Sequence, residues 1–178
     1  MSVVSLTAVA LPGIPMVQQG DNLVNIILEG LAHAGHQLQD GDALVVTSKI
    51  VSKSEGRFVD LHSVIPSSQA VALADETRKD PRIVELVLNE SRSISRKAVG
   101  VLVVTHRLGF TSANAGIDQS NIEHGDDRVL LLPRDPDASA ESIRQGLRAA
   151  TGADVGVVIS DSHGRPFRMG NISVAIGV

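Results

Sequence analysis

The apolar residues of this chain come in short, largely β-branched runs that stop at clusters of small polar residues, and this pattern limits the folds open to it. Ala43–Thr47, Val99–Val104, Arg128–Leu132, Val155–Ile159 and Ile172–Val178 read as strands, most of them buried. Helical stretches with cap signals lie between them. Asp21 opens a helix running to about Ala34, with Leu23, Ile26, Ile27 and Leu31 on one face and Gly35 closing it. Pro66 to Lys79 reads as a surface helix. Asp80-Pro81 starts another with a stripe of Ile83, Val84, Val87 and Leu88. Asp137 or Ser139 caps a helix carrying Ile143, Leu147 and Ala150, which Gly152 ends. Val3 to Leu11 alternates and reads as a first strand, broken by Leu11-Pro-Gly-Ile-Pro15. Helices alternating with strands predict an α+β fold of mixed layers.

The core has to be built from aliphatic side chains, because aromatic residues are 2% of the 178 and are all phenylalanine. So few rings argue against base-stacking or sugar-stacking surfaces, and a net charge of −4 argues against a nucleic-acid partner. With no cysteine, thiolate metal sites, thiol nucleophiles and disulfides are excluded. No apolar stretch is long enough to span a bilayer, and the expected location is cytoplasmic. Ile172 to Val178 is an apolar strand with no polar tail after it, which predicts further sequence beyond Val178.

Two polar turns hold the candidate chemistry, Ser112-Ala-Asn-Ala-Gly-Ile-Asp-Gln-Ser-Asn121 and Ser160-Asp-Ser-His-Gly-Arg-Pro-Phe-Arg168. Each follows an apolar stretch, and each supplies a carboxylate, Asp118 or Asp161. The second adds Arg165 and Arg168. One carboxylate from each turn suits a hard cation and phosphate oxygens. The competing reading is that both aspartates are turn caps. Ser48, Lys49 and Lys53 follow the strand Ala43–Thr47, with the lysines four apart on one face of a helical turn. They suit phosphate or form a solvated basic turn. The glycine framework of a P-loop is missing. The Pro12-Gly13 corner offers free amides at Gly13 and Ile14 to a ligand, or is only a connection. His106, at a strand end, is an acid or base candidate or a structural histidine.

Together, Leu11-Pro-Gly-Ile14, Val46-Thr-Ser-Lys-Ile-Val-Ser-Lys-Ser-Glu-Gly-Arg57, Ala113-Asn-Ala-Gly-Ile-Asp-Gln-Ser-Asn121, Leu132-Pro-Arg-Asp-Pro-Asp-Ala-Ser139 and Ser160-Asp-Ser-His-Gly-Arg-Pro-Phe-Arg168 resemble the coenzyme F420:L-glutamate ligase family. The motifs fall in the family's order and cover the chain nearly end to end. The resemblance implies a GTP-dependent ligase that joins L-glutamate, through γ-linkage, to coenzyme F420-0. It implies an acyl phosphate intermediate, release of GDP and phosphate, a requirement for Mg2+ or Mn2+, assistance from K+, and an intertwined homodimer. Carried over by position, it implies nucleotide contacts at Leu11, Pro12, Gly13, Ile14, Ser48, Lys49, Lys53 and Asn121. Asp118 and Asp161 match metal ligands. Ser162 stands where the family usually has a metal-binding threonine, and Ser112 where a cysteine is frequent. Residues 1–178 then form the N-terminal portion of such a ligase, with a possible subdivision near 80–98 and a family that continues past 178. The alternatives are a metal- and nucleotide-binding fragment without turnover, and a structural domain.

Overall fold

A computed structural model of the chain describes residues 5–119, 127–163, 169–170 and 172–178. Among these residues the α-helices are α1 (Leu23–His33), α2 (Ser48–Ser54), α3 (Ser68–Thr77), α4 (Pro81–Asn89) and α5 (Pro136–Thr151). The strands are β1 (Ala43–Thr47), β2 (Phe58–Asp60), β3 (Ser91–Ala98), β4 (Val101–His106), β5 (Thr111–Ala113), β6 (Arg128–Leu130), β7 (Gly156–His163) and β8 (Ile172–Gly177). The architecture is mixed α and β, as the alternating pattern predicts. Among the described residues no helix is long and apolar enough to cross a membrane.

Two hydrophobic cores form from these elements. The first is built by α1, β1, α2, α5, β7 and β8. Here β1 pairs in parallel with β7, Ala43 opposite Gly156 through Thr47 opposite Ser160, and β7 pairs antiparallel with β8. Leu23, Ile27 and Leu31 of α1 and Ile143 and Leu147 of α5 pack with Val46, Val157 and Ile159 of the sheet. The second core lies under the antiparallel sheet β3-β4-β5 and beside the ribbon β2-β6. Ala70, Leu73 and Ala74 of α3 and Val84 and Val87 of α4 meet Leu102, Val104, Val129 and Leu131 there. The chain enters the second core after α2 and returns before α5, and residues 80–98 lie wholly inside that excursion.

Several local expectations are corrected. Residues 5–11 form no strand among the described residues, and Leu6 is 97% exposed. Alternation supplies a face but not the partner strand that a ladder needs. Asn22, not Asp21, caps α1 by accepting from the Asn25 amide, while Asp21 accepts from the Gln18 amide just upstream. Asp135 caps α5 with Pro136 at the first helical position, so the cap precedes both expected candidates. Ala150 of α5 is exposed. α3 is a surface helix within the expected span, exposed at six of its ten residues, with Ala70, Leu73, Ala74 and Thr77 buried on the inner face. β6 ends at Leu130, two residues short of the expected strand, and β3 occupies a stretch with no apolar periodicity.

Candidate functional site

The parallel pair β1-β7 sets the site. Its ladder ends at Thr47 opposite Ser160, and α2 starts at once with Ser48. β7 does not turn there, as the polar cluster from Ser160 suggests. It runs on to His163 because β8 continues to pair with it, Asp161 opposite Val174 and His163 opposite Ile172. Asp161 is therefore a strand residue just past the carboxyl ends of two parallel strands, where open α/β sheets place ligands. Side-chain alternation along β7 puts Asp161 and His163 on one side.

Asp118 arrives from the second core. After β5 the backbone passes through Asn114, Ala115 and Gly116, all left-handed with φ of 50°, 54° and 69°. At Gly116 a side chain is doubly unwelcome, since an added Cβ would lie 2.7 Å from Leu132 Cδ1. Asp118 is then fixed by two backbone bonds with Leu130, each 2.9 Å. It is thus tied to the end of β6 rather than left in an open turn.

Both aspartates, with Ser48, Lys49, Ser112 and His163, line one cleft of about 680 Å³. Lys49 Nζ lies 2.5 Å from Asp118 Oδ2. The Ser48 hydroxyl donates to Asp161 Oδ1 over 2.6 Å. Two successive residues of α2 thus hold carboxylates brought in by different cores. His163 Nε2 approaches Asp161 Oδ2 to 3.2 Å, but off the line of an N–H donor, and neither ring nitrogen has a hydrogen bond among the described residues. The buried Ser112 hydroxyl is likewise unpartnered among them.

The remaining site residues from the sequence fall in several places. Ser162 is exposed and lines the cleft. Lys53, one turn beyond Lys49, is directed to Met16, with Nζ 3.3 Å from Sδ. It is not among the cleft-lining residues. Leu11 to Ile14 packs over α1, where Leu11 and Ile14 lie so close to Gly30 that an added Cβ would meet Ile14 Cδ1 at 2.9 Å. Gly13 takes φ +73° beside the His33 ring. This corner stays outside the cleft lining too, although Gly20 bonds the end of α2 through the Ser54 carbonyl. Asn121, Arg165 and Arg168 lie outside the described residues. His106 is fully buried, stacked on Phe110 with ring centroids 5.0 Å apart, and its Nδ1 accepts from the Leu108 amide. That is a structural setting.

Two residues with a place in the site were not legible beforehand. His163 was hidden because its segment reads as a turn, in which its side would be undefined. The signal available is Asp-x-His, which on a strand places both side chains together. Phe110 lay in a stretch with no pattern at all.

The donor set is oxygen-rich and hard. Among the described residues no three acidic or histidine side chains gather closely enough to hold a metal unaided. Asp118, Asp161 and the Ser162 hydroxyl are oxygen donors of the kind a hard divalent cation takes, fewer than a caged site supplies.

Comparison with known proteins identifies the family. The family model described as F420-0:Gamma-glutamyl ligase matches residues 13–178. The chain is 44% identical to the coenzyme F420:L-glutamate ligase of Methanothermobacter thermautotrophicus, over 97% of this chain and 68% of that protein. It is 44% identical to the enzyme of the same name from Methanopyrus kandleri, over 90% of this chain and 61% of the relative. For Methanocaldococcus jannaschii the identity is 43%, over 82% and 57%. The chain thus spans roughly three fifths to two thirds of the length of these curated relatives. With nearly its whole length matched, the chain belongs to the F420-0:gamma-glutamyl ligase family.

Proposed function

We propose that the chain supplies the metal- and phosphate-handling part of a GTP-dependent ligase that adds L-glutamate to coenzyme F420-0 by γ-linkage, on the fold particular to this ligase family. The observation that carries the reading is the convergence of Asp118 and Asp161, from separate cores, on Ser48 and Lys49 in one cleft. Family membership supports it, as do the relatives' names.

In this reading a carboxylate oxygen of the acceptor bonds to the γ-phosphorus of GTP, and the bond to the GDP oxygen breaks. The glutamate amine then attacks the acyl carbon, the carbon–oxygen bond to phosphate breaks, and the ammonium proton leaves. No protein nucleophile is needed. The task is to position the reactants and offset charge on phosphate oxygens. Asp118, Asp161 and Ser162 are the residues that would hold a divalent cation, which supplies Lewis-acid neutralisation of those oxygens when bound. Ser48 orients Asp161. Lys49, whose ammonium now sits against Asp118, is placed to exchange that carboxylate for a phosphate oxygen.

The test is GTP cleavage with Mn2+, F420-0 and glutamate in the natural protein. Asp118→Asn and Asp161→Asn should each lower glutamate-dependent phosphate release by about a hundredfold or more. They should also weaken Mn2+ binding measured by calorimetry. Parental Mn2+ affinity in both variants would remove the reading.

A further inference from the structure

His163 is buried, 6% exposed, yet both of its ring nitrogens lack a hydrogen bond among the described residues. A buried polar atom left unpaired is costly, so its persistence needs a reason. The ring is not free to seek another position. Phe110 of the loop before β5 packs against it, with centroids 5.5 Å apart and planes tilted by 42°. Phe110 is itself stacked at 8° on His106, which is wholly buried and held by the Leu108 amide. The second core therefore presses His163 towards the first. Asp161 Oδ2 stands 3.2 Å from the ring's Nε2.

We propose that His163 is a positioning residue for Asp161, wedged by Phe110 so that its Nε2–H fixes the second carboxylate oxygen while Ser48 fixes the first. The inference rests on the reading of Asp161 as a cation ligand. One oxygen is already secured by the Ser48 hydroxyl at 2.6 Å. A small rotation of the carboxylate brings Oδ2 onto the Nε2–H line and satisfies the orphaned donor. Each oxygen then keeps a lone pair for a cation. Ligating carboxylates held in this way owe much of their affinity to the outer donor, and losing such a donor costs about ten- to a hundredfold in metal affinity. The assignment also gives the aromatic stack a role: the second core sets the direction of a ligand carried by the first.

The test is Mn2+ binding alone, in the natural protein, read as free Mn2+ by electron paramagnetic resonance. His163→Leu keeps the bulk and removes the donor, and it should weaken binding by about ten- to a hundredfold. His163→Gln places an amide nitrogen near the Nε2 position and should recover most of that loss. A purely structural role would leave the two variants alike. Should the leucine variant fail to fold, His163→Asn replaces it, since its amide reaches only the Nδ1 position and should bind weakly where Gln binds well. Parental affinity in His163→Leu, or equal affinity in Gln and Asn, overturns the proposal. Asp161→Asn separates the two readings. If it binds weakly while His163→Leu binds as the parent, only the positioning role falls. If Asp161→Asn itself binds as the parent, the cation reading falls and takes the proposal with it.

Discussion

At residue scale, the two contacts that hold the site's carboxylates differ greatly in worth. Lys49 and Asp118 are 35% and 27% exposed, and an ion pair so open to water contributes about 0–1 kcal/mol. Such a pair separates cheaply, as the proposed exchange of Asp118 for a phosphate oxygen at Lys49 requires. Ser48 is 5% exposed and donates to a carboxylate, and a hydrogen bond to a charged group is worth roughly 1.5–3 kcal/mol. Ser48→Ala should therefore lower stability by about that amount in urea unfolding, whereas Ser48→Thr, which keeps the hydroxyl, should stay near the parent. An alanine variant as stable as the parent would mean that Asp161 finds another donor without loss. The sequence nominates both residues by type, as a serine after a strand and an aspartate among turn formers. Their pairing was not legible, because they stand 113 positions apart and meet only through the parallel register of β1 and β7.

At the scale of elements, what the sequence reveals depends on whether an element carries its own signal. α4 was legible from Asp80-Pro81, and the observed cap is the Asp80 carboxylate accepting from the Arg82 amide. β8 was legible from its aliphatic run. β3 was not, since Ser-Arg-Ser-Ile-Ser-Arg-Lys-Ala has almost no apolar residue to set a period and is exposed over most of its length. It is a strand because the turn through Gly100, at φ +75°, lays it back along β4, so pairing rather than burial defines it. The end of β8 offers a sharper test. An added Cβ at Gly177 would lie 2.4 Å from the Pro136 carbonyl carbon, the backbone at the start of α5, which cannot swing aside as a side chain can. Gly177→Ala should thus cost about 1–3 kcal/mol in thermal or urea unfolding, as overpacked cores do. Gly100→Ala meets no atom within 4 Å and pays only for its positive φ, about 1 kcal/mol. Equal losses in the two variants would show that strand and helix part easily at this seam.

At the scale of the whole molecule, the two cores are joined by two chain crossings, and one carboxylate ties them. Glu90 closes α4 and accepts from Arg57 Nη2 at 3.0 Å and Arg107 Nε at 2.8 Å. Arg57 in the outgoing crossing also donates to the Leu132 carbonyl, and Arg107 donates to the carbonyls of Pro133 and Arg134 in the returning one. No linker composition announces these crossings, because each is a few residues long and the cores are assembled from segments far apart in sequence. Burial alone would raise the Glu90 carboxyl, but the His106 ring 3.6 Å away, the Arg107 hydrogen bond and the charges of Arg107 and Arg57 outweigh it and hold it at about 2. A carboxyl held below its ordinary 4.5 adds stability that is present above that value and is lost as pH falls towards 2. Glu90→Gln leaves Arg57, 11% exposed, without its counter-charge, and breaking a buried pair costs about 3–5 kcal/mol. The variant should therefore be less stable than the parent by that order at pH 7. The gap should close between about pH 4.5 and pH 2, where the parent's own Glu90 takes up a proton. Helix content followed by circular dichroism through urea titrations at a series of pH values measures this directly. A gap that stays constant down to pH 2 would mean that Glu90 acts through shape alone, and that its charge does not hold the two crossings together.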